Sequence, residues 1–135
     1  VVIDHSGWRI GLSICYDLRF PELFRAWGPV DLALCTAAFT SGTGLAHWEV
    51  LLRARAIENQ CYVAAVGQCG MNAETSVEHF GHSLLADPWG QVRAQAGEGE
   101  GVLRVSLDPD RLHDVRTRLP ALQHRVLGLQ CGMQK

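Results

Sequence analysis

Two short apolar runs, Leu32 to Thr36 and Tyr62 to Gly67, bracket one long helical stretch from Ala46 to Gln60. That alternation constrains the fold more than any other feature of the chain. Runs this short are strand-sized, and side chains apolar on both faces predict strands buried on both sides. Between them Val50, Leu51, Ala54 and Ile57 share one face at helical spacing, which predicts the buried face of the helix. Glu49 stands four residues before Arg53, the favourable order for an exposed ion pair.

The remaining segments extend the pattern. Val1 to Ile3 and Trp8 to Cys15 read as strands joined by the turn Asp4-His5-Ser6-Gly7. Pro21 suits the first position of a helix that ends at Gly28. Met71 to Phe80 is polar and reads as a surface loop. Ser83 to Ala86 and Gln91 to Ala96 flank the turn Asp87-Pro88-Trp89-Gly90, read as a hairpin with a buried indole. A further strand is expected over Leu103 to Leu107. Asp108 then caps a helix opened by Pro109, with Leu112, Val115 and Leu119 as its apolar stripe and Pro120 as its stop. The class is therefore α/β, a sheet covered by helices, with about five to seven strands. A chain of 135 residues fits one ordinary domain.

Composition narrows the function. Twelve Lys+Arg against 14 Asp+Glu leave a net charge of -2, so no global field draws the chain to nucleic acid or anionic lipid. No apolar run approaches the ~18 residues of a membrane span, and no secretory leader is evident, so no membrane partner is expected. The five cysteines, Cys15, Cys35, Cys61, Cys69 and Cys131, form neither an even disulfide set nor a CxxC pair. Free thiols in a reducing, cytoplasmic compartment are the expectation. His79 and His82 lack a matching ligand pair, so no metal and no cofactor is called for.

One stretch can carry chemistry, Gly11 to Glu22. It places a thiol, Cys15, at the end of a strand and before the turn into a helix. The peptide N–H of Tyr16 would lie beside the sulfur, able to donate to a developing oxyanion. On position alone Cys15 reads equally as a small buried hydrophobe.

The words CYDLRFPE, TAAFTSGTGLAHWEVLLRARAIENQCYV and GHSLLADPWG resemble the nitrilase (carbon–nitrogen hydrolase) superfamily. The branch they are most similar to holds the deaminated glutathione amidases and omega-amidases. The resemblance runs in order from the first strand to about Arg125. It implies an α-β-β-α sandwich and hydrolysis of a small amide through a thioester, with Cys15 as nucleophile. A free thiol is only about 3% thiolate at neutral pH, so such a group needs activation. In the family a Glu serves as general base, and a Lys joins the peptide N–H in steadying the oxyanion. By the same resemblance Arg19 contacts a substrate carboxylate, and Phe39 and Thr43 line the pocket. The plainer alternatives are an ion pair of Arg19 with Asp17 or Glu22, and ordinary packing for Phe39.

The family's Glu and Lys precede the Cys block, and the residues before Cys15 contain neither. The expectation is a partial domain over residues 1–135, an incomplete sandwich without its N-terminal half and with little activity alone. A complete form is expected to be a homodimer acting on a small-molecule amide. The competing expectation is a non-catalytic remnant. Glu49 reads as a carboxylate near a helix N-terminus rather than a replacement base. His47, His82 and His124 have no sequence feature placing them beside Cys15.

Overall fold

A computed structural model describes residues 1–127. Its sheet has six strands: β1 (Val2–His5), β2 (Trp8–Ile14), β3 (Leu32–Ala37), β4 (Tyr62–Gly67), β7 (Leu84–Ala86) and β8 (Val92–Gln95), in the order β1-β2-β3-β4-β7-β8. The three central strands run parallel, and the outer pairings are antiparallel. Ser6 and Gly7 close the first hairpin with φ of 49° and 80°, as a tight two-residue turn demands. A separate ribbon pairs β5 (Cys69–Met71) with β6 (Glu78–Phe80), so part of the expected surface loop is strand.

Parallel neighbours need crossovers, and these are α1 (Pro21–Ala26) and α2 (Ser41–Asn59). Both pack on one face of the sheet. Phe24, Trp27, Trp48, Leu52 and Ala56 meet Ala33, Cys35, Val63 and Ala65 there in the main core. Gly11 admits the Trp27 indole, since a Cβ at that position would meet the ring at 2.3 Å.

The opposite face is covered unevenly. The rows follow the strand register. Ile10, Leu32 and Tyr62 are buried with Leu112 of α3 (Pro109–Arg118). One step along each strand Leu34 and Ala64 are half-buried, and a step further Ile14 and Val66 are 69% and 60% exposed. The observed layers are thus helices, one sheet, and a partial third layer from α3, which agrees with an incomplete sandwich. The apolar rows of β3 and β4 are fully buried only on the helix side.

Several local expectations change. Helix α2 begins at Ser41, five residues before the sequence signal at Ala46. Its buried face carries Trp48, Leu52, Arg55, Ala56 and Asn59, whereas Val50 and Ile57 are 66% and 50% exposed. The true stripe was hidden because two of its members are polar; both are hydrogen-bonded inside. Glu49 lies more than two turns into the helix, so the N-terminal dipole does not explain it; it pairs with Arg53 at 3.2 Å. The Asp87-to-Gly90 turn forms, with buried Asp87 accepting from the amides of Trp89 and Gln91, but the Trp89 indole is half exposed. Leu103 to Leu107 forms no strand, and among the described residues no segment pairs with it. Asp108 caps α3 by accepting from Asp110 N–H at 3.0 Å. Leu112 and Val115 are buried, while Leu119, past the last turn, is half exposed.

Candidate active site

Strand β2 stops at Ile14, and the next residue turns sharply. Cys15 has φ of 47°, in the left-handed region that residues with a Cβ seldom adopt. Cys15–Arg19 then form one 3-10 turn, and Phe20 leads into α1 at Pro21. Asp17 fixes the entry to this turn, its Oδ2 accepting from the Ile14 N–H at 2.9 Å. The amide of Tyr16 lies in the first turn, where N–H groups have no carbonyl partner within the helix.

From behind, α2 braces the turn. Buried Arg55 donates from Nε and Nη2 to the Leu18 carbonyl at 3.1 and 2.8 Å. Its Nη1 pairs with Glu58 at 2.8 Å, and its guanidinium lies 5.3 Å from the Phe24 ring centre. A buried cation is tolerable only when paired and hydrogen-bonded, and Arg55 is both. The brace therefore reaches out of α2 to the cysteine turn itself.

The Cys15 side chain is half-buried, and its thiol is free, as are those of Cys35, Cys61 and Cys69. Cys35 lies on the adjacent strand, opposite Ser13. Burial pushes the Cys35 thiol up, against a smaller opposing pull from the Ser13 hydroxyl. Neither His47, His82 nor His124 hydrogen-bonds Cys15. Instead, His82 Nδ1 pairs with the Phe80 carbonyl at 2.6 Å, and its ring stacks on Phe80.

Arg19 is the last residue of this turn. Among the described residues no carboxylate lies within 4.0 Å of it, so the ion pair with Asp17 or Glu22 does not form. The guanidinium sits 5.6 Å from the Tyr16 ring centre and 5.2 Å from that of Phe39. Its Nη1 meets His47 Nδ1 at 3.2 Å. Phe39 is buried against Trp48, so packing and contact with Arg19 coexist in one ring. Thr43 stands on α2 one turn before His47, its hydroxyl 3.0 Å from that of Thr40. The structure thus gathers Tyr16, Arg19, Phe39 and His47 in contact, with Cys15 on the same turn and Thr43 on the same helix. His47 was missed in this place because nothing in its spacing from Arg19 signals a contact.

A groove of about 410 Å³ on the open sheet face, walled by Leu32, Val66, Leu85 and Leu103, includes none of these residues. Among the described residues no group of His, Cys, Asp and Glu side chains could hold a metal ion, and no helix is long and apolar enough to cross a membrane.

Residues 1–117 match the carbon-nitrogen hydrolase family. The chain is 52% identical over 123 residues to the deaminated glutathione amidase of Synechocystis sp., covering 90% of this chain and 45% of that protein. It superposes with a TM-score of 0.84 on Saccharomyces cerevisiae Nit3, a member of branch 10 of the nitrilase superfamily, at 36% identity over 94% of this chain and 47% of that one. An amidase from Nesterenkonia sp. AN1, seen with acrylamide added at its active site cysteine, matches with a TM-score of 0.67 and 33% identity, over 89% of this chain and 47% of that one. The chain spans less than half the length of these relatives. It belongs to the carbon-nitrogen hydrolase family of the nitrilase superfamily, on the branch of the deaminated glutathione amidases.

Proposed function

We propose that the chain is the nucleophile-bearing part of an amidase that hydrolyses a small omega-amide of a carboxylated substrate, such as deaminated glutathione. The observation that carries this reading is the left-handed Cys15 at the tip of β2, on the same 3-10 turn as Arg19, a cation with no carboxylate within 4.0 Å among the described residues. The Cys15 sulfur attacks the amide carbon, forming a C–S bond, while the carbonyl oxygen takes the electron pair. The N–H of Tyr16 donates to that oxyanion. Collapse breaks the C–N bond, and the nitrogen leaves as ammonia after gaining a proton. Water then attacks the thioester, releasing the acid and restoring the thiol.

Arg19 binds the distant carboxylate, with Phe39 as the wall and Thr43 as a hydroxyl donor. A guanidinium fork suits that group. A Glu takes the thiol proton and returns it to the leaving nitrogen, a Lys joins the Tyr16 N–H at the oxyanion, and residues 1–14 contain neither. Activity of the 135-residue chain alone is therefore low. A complete form pairs as a homodimer in a reducing cytoplasm, where the free thiols stay reduced.

Limited treatment of the purified chain with iodoacetamide, followed by peptide mass mapping, tests the nucleophile. Cys15 should take the label ahead of the other four thiols. Equal sluggishness at all five would overturn the assignment in favour of a non-catalytic remnant. Ammonia release from succinamate by the same chain should stay near background; ordinary turnover would show that acid–base partners beyond residues 1–135 are not needed.

A further inference from the structure

We propose that His47 is a positioning residue for Arg19, holding its guanidinium as a fork for a substrate carboxylate without neutralising it. This rests on the reading of Arg19 as the carboxylate contact.

The argument begins with proton inventory. A guanidinium is always protonated and offers only N–H donors, so in the 3.2 Å contact Arg19 Nη1 must donate. His47 Nδ1 must therefore accept, which makes the imidazole neutral with its proton on Nε2. A neutral acceptor differs in kind from the carboxylate that usually partners an arginine. Glu or Asp in this position would cancel the charge and compete with a substrate carboxylate for the same N–H groups. An imidazole occupies one donor and leaves the charge intact.

The two aromatic rings supply the other constraint. Tyr16 and Phe39 lie near the guanidinium carbon at 5.6 and 5.2 Å, and such contacts favour the cation without specifying a donor direction. The bond to His47 adds that direction. The arrangement also joins separate elements: Arg19 rides on the cysteine turn, and His47 on α2. One turn earlier on α2 stands Thr43, so the same flank of the helix carries the orienting imidazole and a hydroxyl. His47 is exposed and absent from the packed core, so its conservation of the fold is not what the contact supplies.

The test compares two reagents on one sulfur. Iodoacetate and iodoacetamide share a leaving group and differ in charge, so the ratio of their rates at Cys15 cancels changes in thiol ionisation and access. In the 135-residue chain, Arg19→Gln should lower the iodoacetate-to-iodoacetamide ratio about tenfold, and His47→Leu about threefold, the worth of one oriented hydrogen bond. His47→Asn should restore it, because the amide oxygen can take the place of Nδ1. Loss of a neutral ring changes no charge, so a fall in His47→Leu reports direction. If Arg19→Gln lowers the ratio and His47→Leu does not, the positioning role is wrong and the carboxylate reading stands. An unchanged ratio in Arg19→Gln overturns both. A fall in His47→Leu that Asn does not rescue also defeats the positioning role.

Discussion

Strands β2 and β3 are parallel neighbours, and each brings a cysteine to the same end of the sheet. Cys35 stays in register opposite Ser13, points into the helix-covered core and is 1% exposed. Cys15 lies one residue beyond the last residue of β2, with φ of 47° and a half-buried side chain. Cys61, at the entry to β4, is wholly buried, and its thiol is pushed up to about 12 by burial, despite the opposing pull of Arg116. The three share one side chain and one protein. Their difference teaches that strand position, rather than residue type, separates a packing thiol from a presented one.

The sharpest way to break this comparison is to measure it. In native chain, alkylation of Cys15 should outrun that of Cys61 by about 100-fold or more, because a buried thiol must wait for an opening of the core. In strong urea the gap should vanish. A native gap near unity would mean that the two environments are not as different as burial indicates.

Removing the brace behind the turn attacks the same contrast from one side. Arg55→Ala leaves the Leu18 carbonyl without its two donors and Glu58 without its cation. A loss of about 3 kcal/mol is expected in urea denaturation, since two buried hydrogen bonds and a part-buried ion pair are lost together. The alkylation gap between Cys15 and Cys61 should narrow with it. Arg55→Lys should recover less than half, since an ammonium cannot present two donors to one carbonyl in that fixed fork. A variant as stable as the parent would show that α2 does not hold the turn.

Much of this contrast was legible in the sequence. The apolar runs at Leu32 and Tyr62, the Pro-started helix after the cysteine and the capped helix at Asp108 all carry local signals that the fold respects. What stayed hidden depends on distant partners. Gly42 and Gly44 precede the helical stretch expected from Ala46, yet both lie in α2; Gly44 is there because a Cβ would meet the Phe80 ring at 2.2 Å. Arg55 and Asn59 sit on the buried stripe because a carbonyl of the cysteine turn and a carbonyl of the helix accept from them. Leu103 to Leu107 has strand composition, but among the described residues no strand pairs with it to complete a ladder. At the site, Cys15 and Arg19 were visible through wording, whereas the partnership of Arg19 with His47 crosses 28 residues and leaves no periodic trace.

The smallest effect follows from the buried side of the comparison, through pH. Burial holds the Cys61 thiol protonated well past the ordinary value of 9.0, and it pushes Cys35 and the Tyr62 phenol the same way. The unfolded chain releases these protons earlier than the native one. Stability is therefore undiminished below the ordinary thiol value and falls as pH rises from there towards about 12. One pH unit above the ordinary value, a thiol kept protonated by the fold costs about 1.4 kcal/mol. Urea midpoints measured across this window should drop, and the Cys61→Ala variant should drop less steeply whatever its starting stability. Equal slopes for parent and variant would mean that Cys61 ionises in the native chain as readily as in the unfolded one, and the distinction between packed and presented thiols would lose its electrostatic basis.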